Sequence, residues 1–241
     1  MKIIITGGAS GLGEAITRLI AVTIHDCEIL ITFNNSNTNA LLLKSVFKNV
    51  HIQKCDFCES DEVAAFVTRI IDFNPDVLIN NGYSGPFLSK HFHKSSSNEF
   101  IASFEQNIIP LIDITRQSIL CFRKKKFGKI INISTAALVG KPPVGASEYT
   151  ANKAYIEALS RSWATENIAF NITSNCISPS IMATTLTAKM DARLIEDIVT
   201  KHPLKKLLTV YEVAETVLFF LRSPQHINGI VLPMNAGTDL R

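Results

Sequence analysis

Eight residues near the N-terminus constrain this chain more than any others. Thr6 to Gly13 read T-G-G-A-S-G-L-G and follow directly on an apolar run, Ile3–Ile5. The residues after them, "GEAITRLIAVTI", carry helical spacing, so the glycines mark a strand-to-helix turn. Gly7, Gly11 and Gly13 let the backbone turn tightly, with Ser10 and Leu12 completing the turn. The helix that follows aims its N–H groups and positive dipole end back at it, which suits a pyrophosphate. A glycine run alone is weak evidence; on strand one of a βαβ unit it becomes strong.

The alternation continues along the chain. Apolar runs at "EILITFNN", "VHIQKCD", "DVLINNG", "GKIINIS", "NITSNCISP" and "INGIVLPMNAG" read as strands. Helical patterns separate them at "NTNALLLKSVFKN", "SDEVAAFVTRIIDF", Asn98 to Lys126, "SEYTANKAYIEALSRSWATEN" and Tyr211 to Arg222. No low-complexity linker interrupts the pattern. The expectation is one α/β domain over residues 1–241, a Rossmann-type doubly wound parallel sheet of about seven strands with helices on both faces.

Composition narrows the function classes. A net charge of +3 over 241 residues does not announce nucleic acid or a membrane surface as partner. The basic run "FRKKKFGK" lacks interleaved aromatics and reads as helix-terminal cations. Five scattered cysteines, only Cys55 and Cys58 close together, fit thiols in a reducing compartment. His91 and His93 alternate on a polar loop with no carboxylate or cysteine spaced to join them, so no metal is expected. The start "MKIIITGGASGLG" reads as neither leader nor membrane span, and a cytoplasmic protein is the expectation.

The second feature with chemical content is "STAALVGKPPVGASEYTANK", which ends in Tyr149 and Lys153. Residues four apart share a helical face, so the phenol and ammonium project together. A nearby ammonium favours the phenolate, and one unit of pKa is worth about 1.4 kcal/mol. Tyr-x-x-x-Lys alone is common and usually structural. Its weight comes from its company.

That company resembles the short-chain dehydrogenase/reductase family, and in particular its 3-oxoacyl-carrier-protein-reductase-like members. The residues carrying the resemblance are the T-G-x-x-x-G-x-G turn, Cys55–Asp56, Asn80 to Gly82, Asn107, Tyr149 with Lys153, and Pro179 with Thr184. The resemblance covers essentially the whole chain. Two positions depart from it. The family reads N-N-A-G where this chain has Asn80, Asn81, Gly82 and Tyr83, a change expected near the adenine ribose. It reads P-G where this chain has Pro179–Ser180.

The resemblance implies hydride transfer between a nicotinamide and a carbonyl or secondary alcohol. Tyr149 would exchange the proton, and Lys153 would lower its pKa and hold the nicotinamide ribose. Asn107 would support a water leading to the lysine. It also implies cofactor contacts at Gly7, Ser10, Gly11, Leu12, Gly13, Asn34, Asp56, Phe57, Asn80, Asn81, Gly82, Tyr149, Lys153, Pro179, Ile181 and Thr184. Asn34 to Ser36, after strand two, contain no acid to repel a ribose phosphate, which favours NADP; they contain no cation either, and NAD stays open.

The third catalytic group in this family is a hydroxyl after strand five. Counting thirteen back from Tyr149 gives Ala136, so "GKPPVG" is read as an insertion and the strand as the rigid reference. The position then falls on Thr135, with Ser134 the alternative, because adjacent strand residues face opposite ways. The substrate stays open between a small carbonyl or sugar-derived compound and an acyl one, beneath a lid around 181–203. Phe170 stands where the carrier-linked members tend to have arginine. A homodimer or homotetramer is implied, and a nucleotide-binding regulator without turnover is the other reading.

Overall fold

The computed structural model describes residues 1–184, 187 and 190–238. Seven strands run β1 (Lys2–Ile5), β2 (Glu28–Phe33), β3 (Val50–Lys54), β4 (Val77–Asn80), β5 (Gly128–Ile133), β6 (Ile172–Pro179) and β7 (Val231–Met234). Seven helices run α1 (Gly11–Thr23), α2 (Asn37–Val46), α3 (Ser60–Phe73), α4 (Ser97–Lys125), α5 (Ser147–Asn167), α6 (Ala192–Lys201) and α7 (Val210–Arg222). All strands pair in parallel in the order β3-β2-β1-β4-β5-β6-β7. The expected doubly wound sheet is what forms.

Each central strand is apolar on both sides because both sides are covered. Ile3 and Ile5 of β1 pack with Ile16 and Ile20 of α1 and Val217 and Leu221 of α7. Ile4, between them, faces the other way, toward Phe66 and Ile70 of α3 and Phe122 of α4. Phe66 and Phe122 are fully buried, and each such side chain stabilises the fold by about 1.5–3 kcal/mol. One polar seam crosses this interior. Asn80 Nδ2 donates to Asn132 Oδ1 at 2.8 Å and to Thr115 Oγ1 at 3.0 Å, tying β4, β5 and α4 together.

Strand order reverses between β1 and β4, and the carboxyl ends of those strands open a crevice there. Four segments converge on it: the glycine turn, the residues after β4, the end of β5 and the residues after β6.

Helix α6 falls within the stretch expected as a lid. Asp191 caps it, its side chain accepting from the Arg193 N–H at 2.8 Å. Of that stretch, residues 185, 186, 188 and 189 lie outside the described residues. No helix among the described residues is long and apolar enough to cross a membrane.

Candidate active site

The glycine turn is shaped by contacts no other residue would permit. A Cβ on Gly13 would lie 2.0 Å from the Gly7 carbonyl oxygen and 2.7 Å from Asn81 Nδ2. Gly11 has φ +52°, a left-handed conformation that L residues rarely adopt. Asn81 holds the turn from across the crevice, its Nδ2 donating to the Thr6 and Gly7 carbonyls at 3.0 and 3.2 Å. Ser10, at the N-cap of α1, makes no side-chain capping bond. The first N–H groups of the helix therefore remain open to an anionic ligand.

A cavity of about 580 Å³ runs from this turn to Tyr149, Lys153 and Pro179. Of the residues expected at the cofactor, Gly7, Ser10, Gly11, Leu12, Gly13, Asn81, Gly82, Pro179, Ile181 and Thr184 line it together with Tyr149 and Lys153. Asn34, Asp56 and Phe57 cluster beside it instead. Asp56 is bonded to the Asn34 side chain and to the Cys58 N–H, which hold its carboxyl below the usual range. The Phe57 ring crowds Gly82, where an added Cβ would sit 3.2 Å from it. Asn80 requires a correction. Its side chain is spent inside the sheet on Asn132 and Thr115, so it holds up the crevice floor rather than facing the cavity.

The two adjacent hydroxyls differ in their partners. The Thr135 hydroxyl lies beside the Tyr149 phenol and favours its ionised form, and its Oγ1 accepts from the Ala137 N–H at 3.3 Å. Ser134 lines the cavity too, but its Oγ donates to Glu157 Oε1 at 2.6 Å. Ser178 Oγ on β6 donates to the same oxygen at 3.0 Å. Thr135 and Tyr149 line the same cavity. Glu157 was missed in the sequence, although it lies one turn beyond Lys153 on the same face of α5.

Lys153 is buried, with Nζ donating to the Ile133 carbonyl at 2.8 Å. The ammonium stands 4.9 Å from the Tyr83 ring centre and 5.7 Å from that of Tyr149. Burial pulls Lys153 down to about 8. Burial also pushes the Tyr149 phenol up, outweighing the Thr135 hydroxyl that favours its ionised form. That reverses the lowering expected from the lysine alone, because two groups share a dry site that disfavours charge on either.

Asn107 is buried on α4 and fully engaged. Its Oδ1 accepts from the Ser84 N–H at 2.7 Å, and its Nδ2 donates to the Ser84 and Ser103 carbonyls at 3.1 and 2.9 Å. The amide pins the segment after β4 with both of its N–H groups and one acceptor position in use. Phe87, Pro143, Met182, Met190, Leu194 and Ile198 give the cavity apolar surface, and Lys141, Asp197, Lys201 and His202 line it as well. Leu194 and Ile198 project from one face of α6, a pairing that the i, i+4 spacing could have revealed. Among the described residues no group of three or more His, Cys, Asp or Glu could hold a metal ion.

A parallel sheet with its glycine turn at the switch point, and a tyrosine–lysine pair at the end of the same crevice, define a dinucleotide-binding oxidoreductase. The chain belongs to the short-chain dehydrogenase/reductase family: residues 7–239 match the family model described as Enoyl-(Acyl carrier protein) reductase. It acts on a CH–OH/C=O group with a nicotinamide cofactor. It is 27% identical to nodulation protein G of Rhizobium sp. (strain N33), over 98% of this chain and 96% of that one. Identity to a 3-oxoacyl-(acyl-carrier-protein) reductase of Rickettsia prowazekii (strain Madrid E) is 28%, over 97% and 95%. The fold superposes on the 3-ketoacyl-(acyl-carrier-protein) reductase from Brucella melitensis complexed with NADH. The TM-score is 0.86 at 22% identity, covering 99% of this chain and 98% of that one.

Proposed function

We propose that this protein is an NADP-preferring reductase of oxoacyl-type carbonyls, with Tyr149 as proton donor. The observation that carries the reading is that Thr135, Tyr149 and Lys153 line one cavity with the glycine turn Gly7–Gly13. When bound, the nicotinamide supplies hydride to the carbonyl carbon. Thr135 donates a hydrogen bond to the carbonyl oxygen and fixes its position, and Tyr149 gives that oxygen its proton as charge develops there. Lys153 stabilises the phenolate left behind by Coulomb attraction. Asn107 keeps the segment after β4 in place so that Tyr83 and Ser84 bound the site.

Gly7, Ser10, Gly11, Leu12 and Gly13 hold the pyrophosphate, with Asn34, Asp56, Phe57 and Gly82 at the adenosine. Asn81, Pro179, Ile181 and Thr184 stand along the rest of the dinucleotide. Asn34 is the first residue after β2 and its side chain engages Asp56, so no free carboxylate follows that strand to repel a ribose phosphate.

Phe87, Met182, Leu194 and Ile198 offer an acyl chain apolar surface, in a cavity that Asp197 and Lys201 also line. The curated relatives named as oxoacyl reductases support the same class. Exposed Ile101 and Ile109 on α4 and Tyr155 on α5 support assembly into a homodimer or homotetramer. The five free thiols fit a reducing, cytoplasmic setting.

The test is NADPH oxidation with an oxoacyl thioester, a diketone and a keto-sugar. Turnover of the thioester that Tyr149→Phe removes supports the reading. Turnover of the keto-sugar alone overturns the substrate class.

A further inference from the structure

Tyr83 is half-buried against the reacting pair, yet the chemistry above assigns it no role. Its ring meets the Tyr149 ring edge-on, with centres 5.1 Å apart and planes at 75°. The Lys153 ammonium lies over the Tyr83 face at 4.9 Å, nearer than it lies to the Tyr149 ring. The Tyr83 hydroxyl accepts from Asn152 Nδ2 at 3.4 Å. Asn152 is itself fixed by donation to Ser103 Oγ at 3.0 Å. The ring is thus clamped at its polar end and cannot swing off the lysine.

An ammonium carries three N–H groups, and in this buried place one carbonyl, that of Ile133, accepts from it. The ammonium also lies 4.9 Å from the Tyr83 ring centre. A ring face attracts a desolvated cation through its quadrupole, and a clamped ring does so at no further cost in ordering. A lysine stem has four rotatable carbons and would otherwise leave the phenol.

We propose that Tyr83 is a positioning residue, holding the Lys153 ammonium beside Tyr149 through the face of its ring. The inference rests on the reading of Tyr149 and Lys153 as the reacting pair, but the contact is testable without turnover. The titratable groups around Lys153 are Tyr149 on its own helix, Tyr83 from the segment after β4 and Cys176 from β6. Glu157, one turn further along α5, is engaged by Ser134 and Ser178.

The experiment is an NMR pH titration of the full-length protein with isotope-labelled lysine side chains, Lys153→Arg assigning the resonance. Tyr83→Phe keeps the ring and loses the hydroxyl; site-specific incorporation of phenylalanines with one to three ring fluorines keeps the shape and drains the ring face. Tyr83→Leu removes the ring altogether. Lys153 should titrate in Tyr83→Phe as in the parent protein. Its midpoint should fall stepwise with fluorination, by about half a unit or more in total, and at least as far in Tyr83→Leu. A fluorinated series that titrates with Tyr83→Phe overturns the proposal. So does Tyr83→Phe shifting the midpoint as far as Tyr83→Leu, which would assign the effect to the hydroxyl. If Tyr83→Leu does not fold, the fluorinated series decides alone. Because no substrate is involved, a negative titration leaves the reductase reading standing. Absence of turnover by the parent protein would sink that reading without touching the contact.

Discussion

Ser134 and Glu157 share a 2.6 Å hydrogen bond that engages the serine hydroxyl, while the Thr135 hydroxyl lies beside the Tyr149 phenol. With Ser178 donating to the same carboxylate oxygen, the ends of β5 and β6 are tied to α5 one turn beyond Lys153. Two neighbouring hydroxyls of nearly identical chemistry therefore have different consequences when removed.

Thr135→Val keeps the shape and deletes the donor to the substrate oxygen. Its kcat should fall by about 10²–10³, the usual loss for one such donor. Ser134→Ala should leave kcat within a few-fold and lower stability by about 1 kcal/mol, since a buried pair is broken. Steady-state kinetics and urea unfolding on the two variants separate these outcomes. Equal kinetic damage from both would contradict the assignment.

Lys153 sits near 8 because burial disfavours its charge. Its contribution to catalysis requires the ammonium, which is present below that value and lost as pH rises through it. The profile of kcat/KM, which reports the free enzyme, should decline on the alkaline side around pH 8. A profile flat to pH 10 would remove the lysine from this role.

Gly13 and Gly11 differ in what an added methyl meets. Gly13→Ala collides with the Gly7 carbonyl at 2.0 Å, against rigid backbone. At Gly11 the nearest atom is Thr184 Cβ at 3.7 Å, and the strain is only conformational. Cofactor binding, followed by fluorescence titration, should be lost in Gly13→Ala and weakened less in Gly11→Ala.

The fold was readable in the sequence because a parallel sheet covered on both faces writes its strands as unbroken apolar runs. β4 and β5 stand out for that reason. α6 was read only as part of a lid, since its apolar residues Leu194 and Ile198 are few and none of its side chains is buried. The reacting pair was legible from its i, i+4 spacing and from the order of the surrounding motifs. Which of Ser134 and Thr135 belongs to it was not fixed by sequence. That depends on Glu157, twenty-three residues away from Ser134, presenting its carboxylate to one of them. Asn80 misled for a similar reason: its partners Asn132 and Thr115 lie on other elements. Tyr83 looked like a local change near the ribose until α5 placed Tyr149, Asn152 and Lys153 around it.

The lid gives a prediction about substrate. Leu194 and Ile198 line the cavity, as do Asp197 and Lys201, which pair with each other at 2.6 Å. Ile198→Asp places a charge against the acyl chain. KM for an oxoacyl thioester should rise about tenfold or more, with cofactor affinity unchanged, because one buried aliphatic side chain is worth about 1.5–3 kcal/mol.

Ser10 tests the cofactor preference. It lines the cavity at the N-cap of α1 without a capping bond of its own. Ser10→Arg should raise the ratio of kcat/KM for NADPH over NADH by about tenfold, the effect of one charge-assisted contact to a phosphate. An unchanged ratio would place the ribose phosphate elsewhere.

The most direct test of the central claim is the rate of NADPH oxidation with an oxoacyl thioester in the parent protein and in Tyr149→Phe. Turnover in the parent, reduced at least a hundredfold in Tyr149→Phe with NADPH affinity retained, is the expected result. Equal rates in the two proteins, or tight NADPH binding with no turnover of any carbonyl, would contradict a proton-donating Tyr149.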